Sequence, residues 1–160
     1  MAQQGDAVVS VVEHRRDGHA DAQFTSVDAH QRAGDAVLIR SGHGPYFAAT
    51  GAQPSFGGTA GVHASCIEFL HDTDASMLVW DMQDAPVADQ GLDNPKGLPV
   101  PMHVHQVVLP YLGMPILDNA DFESLAAACA SAGRWAVQFV VAPLVITGGT
   151  GSPVNPVAIL

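Results

Sequence analysis

The sequence predicts an α/β domain, and three observations carry that expectation. Short apolar runs of strand length alternate with segments whose apolar residues recur at helical spacing. Hydrophobic residues make up 48% of the 160 residues and charged residues only 14%, a balance that favours a buried core over a disordered chain. Sixteen Gly and eleven Pro supply the turns that many short elements need.

The elements follow in order. Residues 1 to 33 are polar and weakly patterned, with one possible short strand at Val8, Val9, Val11 and Val12 and a solvated connector over Glu13 to Asp28. The turn at Gly34-Asp35 precedes a buried strand at Ala36 to Ile39. Tyr46 to Thr59, rich in small residues and proline, reads as a loop. Thr59 is placed to cap a helix reaching about His71, with Val62, Cys66, Phe69 and Leu70 on one face. A strand follows at Ala75 to Trp80, then a long surface loop from Gln83 to Pro101, of the kind that often overlies a site. Pro101 to Leu112 suits a helix stopped by Gly113, and Met114 to Leu117 a strand. A further helix runs from Asp121 to about Ala132, stopped by Gly133, with Phe122, Leu125 and Cys129 on one side. The apolar run Trp135 to Ala142 and a terminal strand at Val157 to Leu160 flank a turn at Gly148 to Pro153. Two parts result: a poorly patterned segment, 1–33, and an α/β domain, 34–160.

Charge narrows the partners. Six basic residues against sixteen acidic ones give a net charge of −10, with Lys96 the one lysine. No basic surface exists to neutralise phosphates, so nucleic acid and anionic membrane are excluded as expected partners. The N-terminus lacks the positive patch and apolar run of a signal peptide, and Pro143 and Gly148-Gly149 interrupt the longest apolar stretch. A soluble cytoplasmic protein is expected. Cys66 and Cys129, far apart and flanked by small or apolar residues, are expected to be buried free thiols.

Chemistry concentrates at His103-Val104-His105-Gln106 and at Asp118-Asn119. On a helix, His103 and His105 lie about 200° apart and cannot face one point. His105 shares the stripe of Val108, Leu109 and Leu112 expected to turn inward, and His103 is expected nearer solvent. An inward imidazole must pair its nitrogens, and either a metal or a backbone carbonyl satisfies that need. Asp118, after a strand and before Asn119, reads first as a turn residue or helix cap and second as a ligand. His63 reads as a core or helix-end histidine, and Asp81 and Asp84, after a strand end, as solvated acids at a place where sites gather. The Gly148 to Pro153 run is followed by no lysine and opens no helix, so it is not a phosphate loop.

These residues resemble the cyclase family, which includes bacterial kynurenine formamidase and related amide or lactone hydrolases. Gly34 to Gly42 is similar to the family's strand with its Arg-Ser-Gly ending, and Val62 to Cys66 with the strand ending at Asp81 to its next helix and strand. His103 to Gln106 through Asp118-Asn119 resembles the ligand-bearing helix and strand, and Leu125 to Trp135, Ala142 to Leu144 and Gly148 to Pro156 the closing segment. The resemblance covers roughly residues 30 to 160. It implies the back half of a swivelling β/β/α-like domain, a mixed sheet with flanking helices. By position, His105 matches the family's metal-binding histidine, and Asp118 falls where many members carry a glutamate ligand or acid–base carboxylate. The implied cofactor is a divalent metal, Zn or Mn. The implied activity is attack of metal-activated water on a formamide, amide or lactone carbonyl of a small molecule, with a histidine passing the proton to the leaving group.

The departure is as informative as the match. The family's front half carries a His-x-Gly-Thr-His-x-Asp motif that supplies most ligands, and nothing in residues 1 to 33 resembles it. The chain is therefore expected to be a fragment with an incomplete ligand shell. The rival expectation is a non-catalytic remnant, a binding or structural module that keeps the fold. Strands at 36–39 and 135–142 are expected to lack neighbours, to expose an apolar edge and so to drive homo-oligomerisation.

Overall fold

The computed structural model describes residues 6–11, 31–51, 61–84 and 102–160. Its centre is a six-stranded mixed sheet, built from the apolar runs that composition and periodicity single out. The strands are β1 (Asp6–Val11), β2 (Ala36–Arg40), β4 (Met77–Trp80), β6 (Ile116–Leu117), β7 (Ala136–Val140) and β8 (Val157–Ile159). Their spatial order is β6-β4-β2-β1-β7-β8. The first four are mutually parallel, and β7 and β8 are antiparallel additions. A small parallel pair, β3 (Gly61–Val62) with β5 (Gln83–Asp84), stands apart.

Two apolar layers close on this sheet. On one face Val37, Ile39, Leu78 and Trp80 pack with Cys66 and Leu70 of helix α2 (Cys66–Asp72) and with Val104 and Val108 of helix α3 (His103–Tyr111). On the other face Ala36, Leu38, Val79, Leu117 and Val137 pack with Phe122 and Cys129, the latter on helix α4 (Glu123–Ala132). Alternate residues of β2 thus serve opposite layers, as the two-residue pleat requires, and the strand is buried on both sides. Cys66 and Cys129 are buried free thiols, and burial pushes the Cys66 thiol up to about 11. Neither is a nucleophile near neutrality.

The expected strands and α4 are present at or near their sequence positions, and Gly133 ends α4 in the left-handed conformation at φ 61°. Gly113 likewise follows α3 with φ 64°. The turn before β2 is built by Asp35, whose carboxylate accepts from the Arg32 amide at 2.7 Å.

Several expectations need correction. Residues His43–Thr50, which overlap the loop expected from Tyr46, form helix α1, with Gly42 in the left-handed conformation before it and Gly51 after it. Small-residue composition masked this helix because its interior carries little apolar periodicity. The helix expected from Thr59 begins later, at Cys66, and Val62 lies in β3 instead; Thr59 is outside the described residues. On α3 the inward residues are Val104 and Val108, while Leu109 is exposed. The strands at 36–39 and 135–142 do not lack neighbours: β2 lies between β1 and β4, and β7 between β1 and β8. Residues 6–11 supply the middle of the sheet, pairing with both β2 and β7. The connector at 13–28 and most of the loop at 83–101 fall outside the described residues. No helix among the described residues is long and apolar enough to cross a membrane.

Candidate functional site

The carboxyl ends of β2, β4 and β6 lie side by side, and the residues just beyond them carry the polar chemistry of the molecule. In open α/β sheets this edge is where ligands bind, because strand ends and crossover loops form a crevice there.

Two aspartates follow β4, and each anchors a helix. Asp81, buried, accepts hydrogen bonds from the amides of Ser41 at 2.8 Å, Gly42 at 2.9 Å and His43 at 3.1 Å, and from the Ser41 hydroxyl at 2.9 Å. The left-handed Gly42 turns these successive amides toward one carboxylate, a concave anion nest at the start of α1. Asp84 does the corresponding work for α3. Its Oδ2 accepts from the Val104 amide at 2.8 Å, in the first turn of a helix whose preceding residue, Met102, gives no side-chain cap.

The second oxygen of Asp84 reaches the site. His105 Nδ1 lies 2.7 Å from Asp84 Oδ1, and His105 Nε2 lies 3.1 Å from Asp118 Oδ2. The imidazole therefore bridges two carboxylates, one only 4% exposed and the other 32%. Burial of the ring works against its charge, but the hydrogen bonds and negative charges of Asp118 and Asp84 outweigh it and raise its pKa to about 9. Near neutrality both ring nitrogens carry protons and donate.

Asp118 is placed by its neighbours. Asn119 adopts φ 55°, a left-handed turn that asparagine tolerates better than most residues. The turn returns the Ala120 amide to the Trp80 carbonyl at 2.9 Å, fastening the end of β6 to the end of β4. The Trp80 indole N–H donates to Asp118 Oδ1, which leaves Oδ2 toward His105. The Trp80 ring itself stands 5.6 Å from the His105 ring, tilted by 41°. Beside the site, Arg40 holds Glu123 through two bonds of 2.9 and 2.8 Å, tying the end of β2 to the start of α4.

The structure brings His105 and Asp118 together, and sequence reasoning missed what surrounds them. Asp81 and Asp84, read as solvated acids, are a buried helix anchor and the orienting partner of His105. Their one sequence signal is their position just after a strand end. His103, expected nearer solvent, has both ring nitrogens buried with no hydrogen-bond partner among the described residues. His63 is a partly buried residue just before α2, and its Nδ1 accepts from the Ser65 amide at 3.1 Å. His71 pairs with Asp72 on the surface. Leu144 to Ser152 is a structural turn, closed by the Leu144 amide on the Ser152 hydroxyl at 3.0 Å.

The donor set can be tested against a metal. His105 Nε2 and Asp118 Oδ2 converge and could hold one cation between them, with Asp84 behind the imidazole as the supporting carboxylate that metal-binding histidines usually have. Two ligands fall short of the three or more that a catalytic zinc or manganese takes from protein. Among the described residues no group of three or more His, Cys, Asp or Glu side chains is arranged to hold a metal ion.

A mixed sheet with a carboxylate–imidazole–carboxylate bridge at its parallel strand ends is thus the frame to set beside known proteins. A solved structure described as a novel cyclase superposes with a TM-score of 0.69 at 22% identity, over 95% of this chain and 53% of its own. The chain has the cyclase fold over most of its length, and it spans about half of the cyclase that it matches. No protein-family model and no curated protein matches the sequence.

Proposed function

We propose that this chain contributes part of the active site of a metal-dependent hydrolase of the cyclase and arylformamidase type, acting on the C–N bond of a formamide or other amide, or on a lactone, in a small molecule. The observation that carries the reading is the convergence of His105 Nε2 and Asp118 Oδ2 at 3.1 Å, with His105 oriented from behind by Asp84. The cyclase fold and the position of the pair at the strand ends support it.

In this reading His105 and Asp118 hold Zn or Mn, and at least one further ligand comes from outside the pair. A divalent cation so held supplies Lewis acidity toward a carbonyl and makes water nucleophilic near neutral pH. The chain's own residues do the rest. Asp84 keeps the proton on Nδ1 and so presents Nε2, and Trp80 holds one oxygen of Asp118 and leaves the other free. The Nε2 proton competes with metal for one lone pair, so affinity rises with pH.

A second reading has its own observation. Both nitrogens of His105 are already taken by carboxylates, which makes the bridge a self-sufficient structural tie. A non-catalytic module that keeps the fold would look the same. Metal content and turnover separate the two. The purified chain is loaded with Zn or Mn, its bound metal is measured, and hydrolysis of N-formylkynurenine and a simple lactone is followed beside His105→Ala. One metal per chain with turnover lost in the variant supports the hydrolase. Neither metal nor turnover leaves the structural module.

A further inference from the structure

Charge is unevenly distributed along this chain, and it gathers where the site lies. After Arg134 the sequence contains no Asp, Glu, Lys, Arg or His, so the whole net charge of −10 belongs to residues 1–134. From Asp81 to Asp118, five aspartates stand against one lysine, Lys96. The side chains at the ends of β2, β4 and β6 repeat that imbalance. Arg40 and Glu123 cancel each other through their two bonds, which leaves the negative charges of Asp81, Asp84 and Asp118. A protonated His105 offsets one of these three charges. A divalent cation beside a neutral His105 offsets two, and a further ligand, whether imidazole or carboxylate, adds no positive charge. The site is therefore negative with or without metal. Asp84 is only 4% exposed, so water screens its charge weakly, while Asp118, at 32%, is open enough to face a ligand.

We propose, resting on the hydrolase reading of the reacting bond, that the site takes an amide or lactone that bears an amine and no carboxylate. A substrate carboxylate is ordinarily held by an arginine fork. Here the fork of Arg40 is already closed, its Nε and Nη2 both on the Glu123 carboxylate, so a second carboxylate must compete with a fixed one. A substrate ammonium meets the opposite situation, with Asp118 and Asp84 attracting it at short range. The field of the whole acidic chain also raises its rate of encounter and lowers that of an anion. Glu123 is thereby a specificity-determining residue: it touches no reacting atom, and it cancels the cation that would otherwise welcome an acid.

Three N-formylanilines of one shape test this: the neutral parent, a para-aminomethyl cation and a para-carboxylate anion. Their binding to the chain, with and without added Zn, is measured by equilibrium dialysis at about 10 mM salt, where charges act over ~30 Å. Turnover is followed in parallel. The cation is expected to bind about 10-fold tighter than the anion, with the neutral parent between them. The ratio should shrink at about 0.5 M salt. Glu123→Gln, which removes the negative charge beside Arg40, should shift the ratio toward the anion by about threefold or more. Glu68→Gln makes the same change in net charge at an exposed position on α2 and should leave the ratio unchanged. An anion bound as tightly as the cation overturns the proposal, as does failure of all three compounds to bind. So does a ratio that Glu68→Gln moves as far as Glu123→Gln. A Zn-loaded chain that binds the neutral parent without hydrolysing it counts against the hydrolase reading alone, because the binding ratio is read without chemistry.

Discussion

The two halves of the sheet differ in nearly every physical respect. The half formed by β2, β4 and β6 is parallel, buried beneath helices, and bordered at its strand ends by Asp81, Asp84, His105 and Asp118. The half formed by β7 and β8 is antiparallel, uncharged, and bare on one face. Parallel strands require crossover connections, and those crossovers deliver helices to both faces and polar loops to the strand ends. Antiparallel strands joined locally bring no such cover. The contrast explains why the candidate chemistry sits at one end of the sheet and the exposed apolar surface at the other.

The contrast can be broken by substitution. The largest effect belongs to Trp80→Ala, which empties a fully buried site between the sheet and two helices and frees Asp118. A loss of about 3–5 kcal/mol is expected in urea unfolding. Asp84→Ala should cost about 3 kcal/mol, because it removes both the α3 anchor and one partner of a largely buried charge. If Asp84→Ala unfolds at the wild-type urea midpoint, the bridge is not a stabilising feature. The same bridge has a pH signature. The His105 pKa is raised on folding from 6.5 to about 9, so its contribution is fully present below pH 6.5 and is lost as pH rises through about 9. Wild-type stability should fall over that window, and His105→Gln should flatten the fall. Arg40→Ala should cost less than about 1 kcal/mol, since Glu123 is 41% exposed and the pair is screened. Smallest of all is Leu144→Ser, expected within about 0.5 kcal/mol when measured at a concentration too low for association.

Legibility in the sequence cut across this divide. The strands at 36–39, 77–80 and 136–140 were legible because unbroken apolar runs of strand length between turn signals have few other uses. Helix α4 was legible from Phe122, Leu125 and Cys129 together with Gly133. The approach of His105 to Asp118 was foreshadowed by an imidazole beside an apolar stripe and a carboxylate at a strand end, and by the resemblance that singled out both. Helix α1 was hidden by small residues that carry no periodic signal. Asp81 and Asp84 were misread because an acid beside a strand end looks the same whether it is solvated or caps a helix. What decides is the direction of amides brought close by the fold, at Ser41 to His43 and at Val104. The burial of His103 had no sequence signal, since a helix N-terminus gives two adjacent faces similar polarity.

Strand β1 carries one more consequence, in time rather than in space. It lies between β2, with Ala7 beside Ala36, and β7, with Ala7 beside Val137. One of its neighbours is thus available early in the chain and the other only near the end. Closing so long a loop costs entropy before any contact offsets it, and sheets dominated by such pairings form slowly. The parallel strands can associate while β7 is still searching, so the join between β1 and β7 should be the late event of folding, and the slowest of its phases.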